Sequence, residues 1–271
     1  MFYFLCFFSF FSLHNLCATI SLEIADHVFI KHSVPARGIT CSNRERIDRF
    51  SSLLENRVTY TSSWGPKVVV GTYCGDPIFL ALAPVGSGAG LVFTELYSAG
   101  AEWIIRYGSE DKADPIPSEY RLVKVVDEAD NLYGFSLASG VPYSECGHSL
   151  FASPLLIQAL EEEAKERKLH IVRCICHHLE NYHTLRKPEK FGEKRQQLEN
   201  RGKFESFDME TAVLFQVASD FKKHAATVLQ TVVKSDPLQT AYRGSLGSMA
   251  KEIEQEIFAH YILSALIRLP E

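Results

Sequence analysis

The stretch Trp103-Ile-Ile-Arg-Tyr-Gly-Ser109 decides how this chain of 271 residues is interpreted. Its apolar start is long enough for one buried strand, which we predict over residues 103–106, with Arg106, Gly108 and Ser109 at the strand's end. In open α/β sheets, ligands bind at the carboxyl ends of strands. An arginine there offers a planar set of donors suited to phosphate, and a serine hydroxyl adds another. The alternative interpretation is an arginine in a surface ion pair.

Two later segments also place polar residues beside apolar runs. Phe207-Asp-Met-Glu210 puts two acids at the start of an apolar, helix-like run, and the β-type run of residues 226–233 ends at Lys234-Ser-Asp236. Two glycine-rich segments precede the first stretch, Gly71-Thr-Tyr-Cys-Gly75 and Val85-Gly-Ser-Gly-Ala-Gly90.

In this order and spacing, the five segments resemble motifs of the nucleoside phosphorylase family of the uridine and hexameric purine phosphorylase type. The resemblance runs from about Ile39 to about Leu269. It implies phosphorolysis of a purine or uridine nucleoside to the free base and ribose 1-phosphate, with inorganic phosphate as co-substrate and no cofactor. It also implies a homodimer or higher homo-oligomer in which a neighbouring subunit completes the phosphate site. Lys67 is the cation nearest to the position that is expected to contact phosphate in the neighbouring subunit's site.

Strand-like and helix-like segments alternate along the chain, which predicts an α/β fold with a central mixed, twisted sheet flanked by helices. We expect one domain over residues 28–269. Apolar spacing predicts a helix over residues 42–56. A second helix is predicted over residues 153–168, where Ser153 is the expected cap and Pro154 suits the first turn.

Composition and charge exclude some classes of protein. An apolar content of 46% is enough for a real core, and a net charge of -5 gives no sign of a nucleic-acid partner. The seven cysteines include no CxxC pair, so reduced thiols are expected.

Residues 1–20 form an apolar extension that is rich in phenylalanine and free of basic residues before its apolar core. A signal peptide, a membrane-proximal anchor and a mis-assigned start codon are all open interpretations. The resemblance favours a cytoplasmic protein, and the extension leaves secretion or membrane association as the alternative.

Phosphate contacts follow from the resemblance. It assigns phosphate to Arg106, Ser109, Arg46 and Ser42. The loop that carries Arg46 departs from the family pattern, because Ser42 and Asn43 stand where glycine and aspartate are expected.

For the sugar, the resemblance assigns Glu210 to the two ribose hydroxyls and Met209 to the sugar face. A carboxylate can accept hydrogen bonds from two adjacent hydroxyls. The alternative is that Glu210 is an exposed acid at a helix start, where the helix dipole favours negative charge.

For the leaving group, the resemblance indicates Asp236 as proton donor to a purine, with Arg243 closing over the base. In an alternative register, Lys234 takes the place of the acid. Tyr182 and Phe207 are the aromatic residues expected against the base. A metal site is not expected, because the spacing of the neighbouring histidines, His177, His178 and His183, provides no complete ligand set.

The largest departure from the family pattern follows Ser109. Small residues are expected there, but this chain has Glu110-Asp-Lys112. Negative charge near a phosphate site would weaken phosphate binding unless a cation compensates it. The sequence therefore leaves two further hypotheses open: a nucleosidase that uses water, and a relative that binds nucleosides with weakened turnover.

Overall fold

The computed structural model describes residues 30, 32–61, 66–111, 123–130, 140, 148–179, 204–232 and 245–270. In this part of the chain, ten strands form one mixed sheet with helices packed against it, which confirms the predicted fold class. The strands are β1 (Arg37–Cys41), β2 (Glu55–Thr61), β3 (Lys67–Tyr73), β4 (Asp76–Leu82), β5 (Trp103–Asp111), β6 (Val123–Asp130), β7 (Ser149–Phe151), β8 (Ile171–His178), β9 (Phe204–Asp208) and β10 (His224–Val232). The helices are α1 (Arg44–Ser52), a 3₁₀ turn (Gly86–Gly88), α2 (Ala89–Ser98), α3 (Pro154–Glu166), α4 (Thr211–Phe221) and α5 (Ser245–Ile267).

The sheet has the strand order β2-β3-β4-β1-β5-β10-β6-β8-β9, and β7 pairs with β6. β4, β1, β5 and β10 run parallel to one another, whereas β6 is antiparallel to β10 and parallel to β8. Ile39, Ile105 and Val228 in the central strands have no exposed surface. Strands buried on both faces read as continuous apolar runs, which is why β5 and β10 were visible in the sequence, whereas the short strand β1 was not predicted.

The sheet curls at one side, so that β5 and β9 contact each other although β10, β6 and β8 lie between them in the hydrogen-bonded order. Helix α2 packs against α4, and α5 packs against α3 and α1. No helix in the described ranges combines the length and apolar content needed to span a bilayer. The apolar extension, residues 1–20, lies outside those ranges.

The prediction of one helix over residues 42–56 was wrong at its end. Helix α1 stops at Ser52, and the chain continues into β2, where Asn56 has a left-handed backbone (φ 51°). Every residue of β2 is exposed, and its apolar residues Val58 and Tyr60 alternate with threonines, a strand pattern that the prediction overlooked.

The expected cap of α3 was also only partly right. Ser153 is the residue before the helix and Pro154 opens it, but the Ser153 side chain makes no cap hydrogen bond. Its hydroxyl instead lies 3.0 Å from Nδ1 of His224.

Candidate functional site

Arg106 lies within a strand rather than at its end, which corrects the sequence-based expectation. β5 continues to Asp111, because Gly108 and Ser109 pair with Leu229 and Gln230 of β10. The ligand-sized space beside Arg106 exists because the neighbouring strand β1 ends at Cys41, one residue beyond the partner of Arg106.

The Arg106 side chain is buried, with 4% of its residue surface exposed, so it is not in a surface ion pair. Its guanidinium folds back over Gly108: a Cβ atom added to that glycine would lie 2.1 Å from Nη1 and 2.8 Å from Cζ of Arg106. The spacing of arginine, any residue, then glycine therefore has a steric reason here. Only a residue without a side chain leaves room for the arginine head.

Two buried carboxylates hold the guanidinium. Nη1 lies 2.7 Å from Oδ2 of Asp208, and Nη2 donates a hydrogen bond to Oε2 of Glu210. Asp208 is the last residue of β9, the strand that curls back against β5, and Glu210 is the residue before α4. A buried arginine charge needs such partners, because leaving it unpaired in the interior costs several kcal/mol, on the order of 3–5.

Asp208 also organises the start of α4. Its Oδ1 accepts hydrogen bonds from the backbone N–H of Thr211 (3.0 Å) and from Sγ of Cys176 (3.4 Å), and its Oδ2 accepts from the Thr211 hydroxyl (2.6 Å). Burial acts to raise the pKa of Asp208, but the Arg106 charge and the Thr211 hydrogen bonds outweigh it, so the pKa is lowered. Asp208 therefore stays ionised and holds both Arg106 and the helix start.

Glu210 is not the exposed helix-start acid of the alternative interpretation, since only 4% of it is exposed. Its Oε1 accepts a 2.9 Å hydrogen bond from the backbone N–H of Gly86, and its Oε2 accepts from Arg106. Gly86 has a φ of +78°, a conformation that glycine adopts without strain and that turns its N–H toward the carboxylate. Each oxygen of Glu210 keeps a second lone pair for a further donor.

These groups line one pocket of about 330 Å³. Residues from the end of β1, the middle of β5, the end of β9 and the turn before α2 surround it: Ser42, Asn43, Arg46, Val85, Arg106, Gly108, Ser109, Leu179, Phe207, Asp208, Met209 and Glu210. Seven of the residues predicted from the sequence are among them, namely Ser42, Arg46, Arg106, Ser109, Phe207, Met209 and Glu210.

Arg46 is the second cation of the pocket. It stands in the first turn of α1, which Asn43 caps by accepting a hydrogen bond from the Arg46 backbone N–H. Its guanidinium lies over the Tyr107 ring, 4.8 Å from the ring centre, and this contact orients it. Tyr107 and Arg106 are successive strand residues and point to opposite faces of β5, so Arg46 and Arg106 approach the pocket from different sides of the sheet.

Two donors at this pocket have unused capacity within the described ranges. The Ser42 Oγ atom is buried and has no hydrogen-bond partner there. Nη1 of Arg106 makes an ion pair with Asp208 but no hydrogen bond of normal geometry among the described residues. Buried donors are rarely left unmatched, because each one costs about 1–3 kcal/mol. An anion in the pocket would satisfy both.

Glu110, whose charge was expected to weaken phosphate binding, does not line the pocket. Its carboxylate is 2% exposed and lies 2.6 Å from Nζ of Lys124, away from the lining of the pocket. The Lys124 charge compensates it inside the fold. Glu110 and Lys124 are 14 residues apart, on strands β5 and β6 that are not neighbours in the sheet, so no local pattern predicts their pairing.

Phe207 lines the pocket, and its ring is 5.2 Å from the His177 ring. The other residues assigned to the base and to proton transfer, namely Tyr182, Lys234, Asp236 and Arg243, lie outside the described residues. Lys67, expected to serve a neighbouring subunit, forms a 2.7 Å ion pair with Asp48. That assignment stays a prediction.

Sequence reasoning missed Asn43, Gly86 and Asp208 as parts of the site. Asn43 stands three residues before Arg46, a spacing that fits an N-cap, and Asp208 precedes an apolar helix, so both carried a capping signal. The link between Gly86 and Glu210, 124 residues apart, had no local signal.

Comparison with solved structures identifies proteins with the same architecture. Uridine phosphorylase from Vibrio fischeri ES114, in complex with 6-hydroxy-1-naphthoic acid, has a TM-score of 0.71 and 19% identity, with coverage of 91% of this chain and 100% of that one. Purine nucleoside phosphorylase from Toxoplasma gondii in complex with immucillin-H has a TM-score of 0.66 and 18% identity, with coverage of 87% and 92%.

A mutant of futalosine hydrolase from Helicobacter pylori strain 26695 has a TM-score of 0.65 and 15% identity, with coverage of 87% of this chain and 100% of that one. No protein-family model and no curated protein sequence matches the chain. At these identities the likeness concerns the architecture. The protein has the fold that uridine phosphorylase, purine nucleoside phosphorylase and futalosine hydrolase share.

Proposed function

We propose that the protein is a nucleoside phosphorylase, which converts a purine or uridine nucleoside and phosphate into the free base and a pentose 1-phosphate. One observation carries the proposal: Glu210, buried and held by Gly86 and Arg106, shares a pocket with Arg46 and with the Ser42 hydroxyl, which has no hydrogen-bond partner among the described residues. This set offers an acceptor for sugar hydroxyls beside donors for an anion. The phosphorylases among the structural neighbours support phosphate as the second substrate, whereas the hydrolase supports water.

In the proposed reaction, a phosphate oxygen forms a bond to C1′ of the sugar as the bond from C1′ to the base nitrogen breaks. Arg46, Arg106, Ser42 and Ser109 hold the phosphate against the sugar. Fixed donors of this kind stabilise charge in a site from which water is largely excluded. Positioning two reactants in contact can itself lower a barrier by about 7–11 kcal/mol.

Glu210 accepts hydrogen bonds from the 2′ and 3′ hydroxyls through the lone pairs that Gly86 and Arg106 leave unused, and Met209 packs against the sugar. The departing base takes the electron pair of the broken bond. Asp236 donates the proton that a purine needs, and Phe207 and Tyr182 contact the ring. Arg243 closes over the base. From the sequence resemblance, we also propose that the protein forms a homo-oligomer.

A nucleosidase that uses water is the second candidate, and one observation favours it. Arg106 is already paired with two carboxylates, so Arg106, Asp208 and Glu210 together carry a net negative charge. A dianion gains less from such a group than from a free arginine. Arg46 is the pocket's other cation and favours the phosphorylase.

The test is base release from inosine, adenosine and uridine, measured with and without inorganic phosphate. We expect release only when phosphate is present, with a sugar phosphate as the second product. Release at the same rate without phosphate would establish the nucleosidase. Binding of a nucleoside without release would establish the non-catalytic relative. The Arg106→Ala variant is the control for activity from contaminating enzymes.

A further inference from the structure

A buried lysine bridges the two strands that carry the candidate site. Nζ of Lys124, on β6, lies 2.6 Å from Oε1 of Glu110 at the end of β5 and donates a hydrogen bond to the backbone carbonyl of Glu205 on β9. Lys124 and Glu110 are each 2% exposed. Neither residue lines the pocket, and neither has a part in the proposed chemistry.

The bridge matters because β5 and β9 are not neighbours in the sheet. Three strands separate them in the hydrogen-bonded order, so among the described strands no backbone ladder joins them directly. Side chains that meet inside the curl provide the direct link. At one level Arg106 meets Asp208, and at another level Lys124 links Glu110 to Glu205.

The two levels are joined by short lengths of rigid strand. Glu110 is four residues beyond Arg106 on β5, and Glu205 is three residues before Asp208 on β9. At about 3.3 Å per residue, these separations are roughly 13 Å and 10 Å. Each separation leads from the level of Arg106 and Asp208 to the level of Lys124, forward along β5 and backward along β9. A movement of β9 at Glu205 is therefore transmitted to Asp208 and Glu210.

We propose that Lys124 is a positioning residue that sets the distance between Arg106 and Glu210 from the interior of the fold. The inference rests on the proposed function, in which those two groups bind phosphate and sugar. A purely structural ion pair would not affect one substrate more than another. Its loss would lower the fraction of folded protein and reduce activity toward every substrate equally.

The test uses the double variant Lys124→Met/Glu110→Leu in the full chain. Removing both charges avoids an uncompensated buried charge, and replacing a buried pair with apolar residues of similar volume is often tolerated. The matched control is Arg37→Met/Asp76→Leu. Arg37 also bonds one carboxylate (2.7 Å) and one backbone carbonyl, that of Pro270, but at the end of β1 opposite to the pocket.

The readout is the ratio of kcat/KM for a ribonucleoside to that for its 2′-deoxy analogue, which reports the placement of Glu210 against the 2′ hydroxyl. We expect this ratio to fall about tenfold in the Lys124 double variant and to stay within twofold of wild type in the control. Glu110→Gln, which keeps an acceptor for Lys124, should keep the ratio. Glu110→Ala should lower it, and this pair decides the matter if the double variant does not fold.

Crystal structures of the wild type and the variants give a readout that needs no turnover. We expect a longer separation between the Arg106 guanidinium and the Glu210 carboxylate in the double variant. An unchanged ratio together with an unchanged separation would overturn the role of Lys124. If the wild type turns over no nucleoside, the proposed function fails, and the separation alone then decides whether Lys124 positions these groups.

Discussion

Gly108→Ala should impair phosphate-dependent activity while the protein keeps its fold. The added Cβ would lie 2.1 Å from Nη1 of Arg106, and ordinary contacts begin at 3.4 Å, so that nitrogen has to move by about 1.3 Å. Gly108 has no unusual backbone conformation, so alanine introduces no backbone strain. The cost therefore falls on Arg106 and on its contacts with Asp208 and Glu210.

A misplacement of about 1 Å at a catalytic group can reduce the rate ~10²-fold. We therefore expect kcat/KM for phosphorolysis to fall ~10²-fold, equivalent to about 2.7 kcal/mol of transition-state stabilisation. The assay is initial-rate kinetics with nucleoside and phosphate varied in turn, and thermal unfolding verifies the fold.

Gly88→Ala is the matched control for this prediction. It is the same substitution beside the same region, but its Cβ would meet only Cγ of Pro84 at 3.7 Å, an ordinary contact. We expect its kinetics to match the wild type within about twofold, a difference below 0.5 kcal/mol. If Gly108→Ala behaved like Gly88→Ala, the observed position of Arg106 would not be the one used in catalysis.

Four further substitutions test the individual roles. Arg106→Lys keeps the charge but loses the planar pair of donors, so KM for phosphate should rise by ~10-fold or more, as seen in initial-rate kinetics. Glu210→Gln should lower kcat/KM more for ribonucleosides than for 2′-deoxyribonucleosides, by up to the ~1.5–3 kcal/mol of a charge-assisted hydrogen bond. Asp236→Asn should lower kcat ~10²–10⁴-fold with inosine and much less with uridine, because the amide cannot donate the proton. Asp208→Asn should weaken the dependence of stability on pH. The pKa of Asp208 is lowered in the folded protein, so the unfolded chain takes up the proton first as the pH falls, and the stability that Asp208 provides is lost below a pH of about 4. Urea unfolding from pH 5 to pH 3 measures this loss.

Each role has an outcome that contradicts it. Unchanged phosphate KM in both Arg106→Lys and Arg106→Ala would remove Arg106 from the phosphate site. Equal losses for both sugar classes would reduce Glu210 to a structural acid. An Asp236→Asn variant that keeps full activity on inosine would favour the register with Lys234 in the site. Parallel stability curves for wild type and Asp208→Asn would show that this carboxylate titrates normally.

The sequence by itself determined the class of fold and most of the residues at the pocket. Strands such as β5 and β10 are buried on both faces and therefore appear as apolar runs, and local motifs placed Arg106 and Glu210 beside them. The edge strand β2 was not predicted, although Val58 and Tyr60 alternate with polar residues there, because its exposed residues form no apolar run of the kind that marks the central strands.

Only the tertiary structure decided the partners of the charged groups. Arg106 meets Glu210 across 104 residues of sequence, and Lys124 reaches Glu205 across 81. The same curl of the sheet removed the Glu110 charge from the pocket by pairing it with Lys124. Local patterns reflect which residues are buried and which backbone conformation they adopt. The pairing of buried charges is instead set by how distant strands curve toward each other, because an unpaired charge inside the curl is too costly to remain.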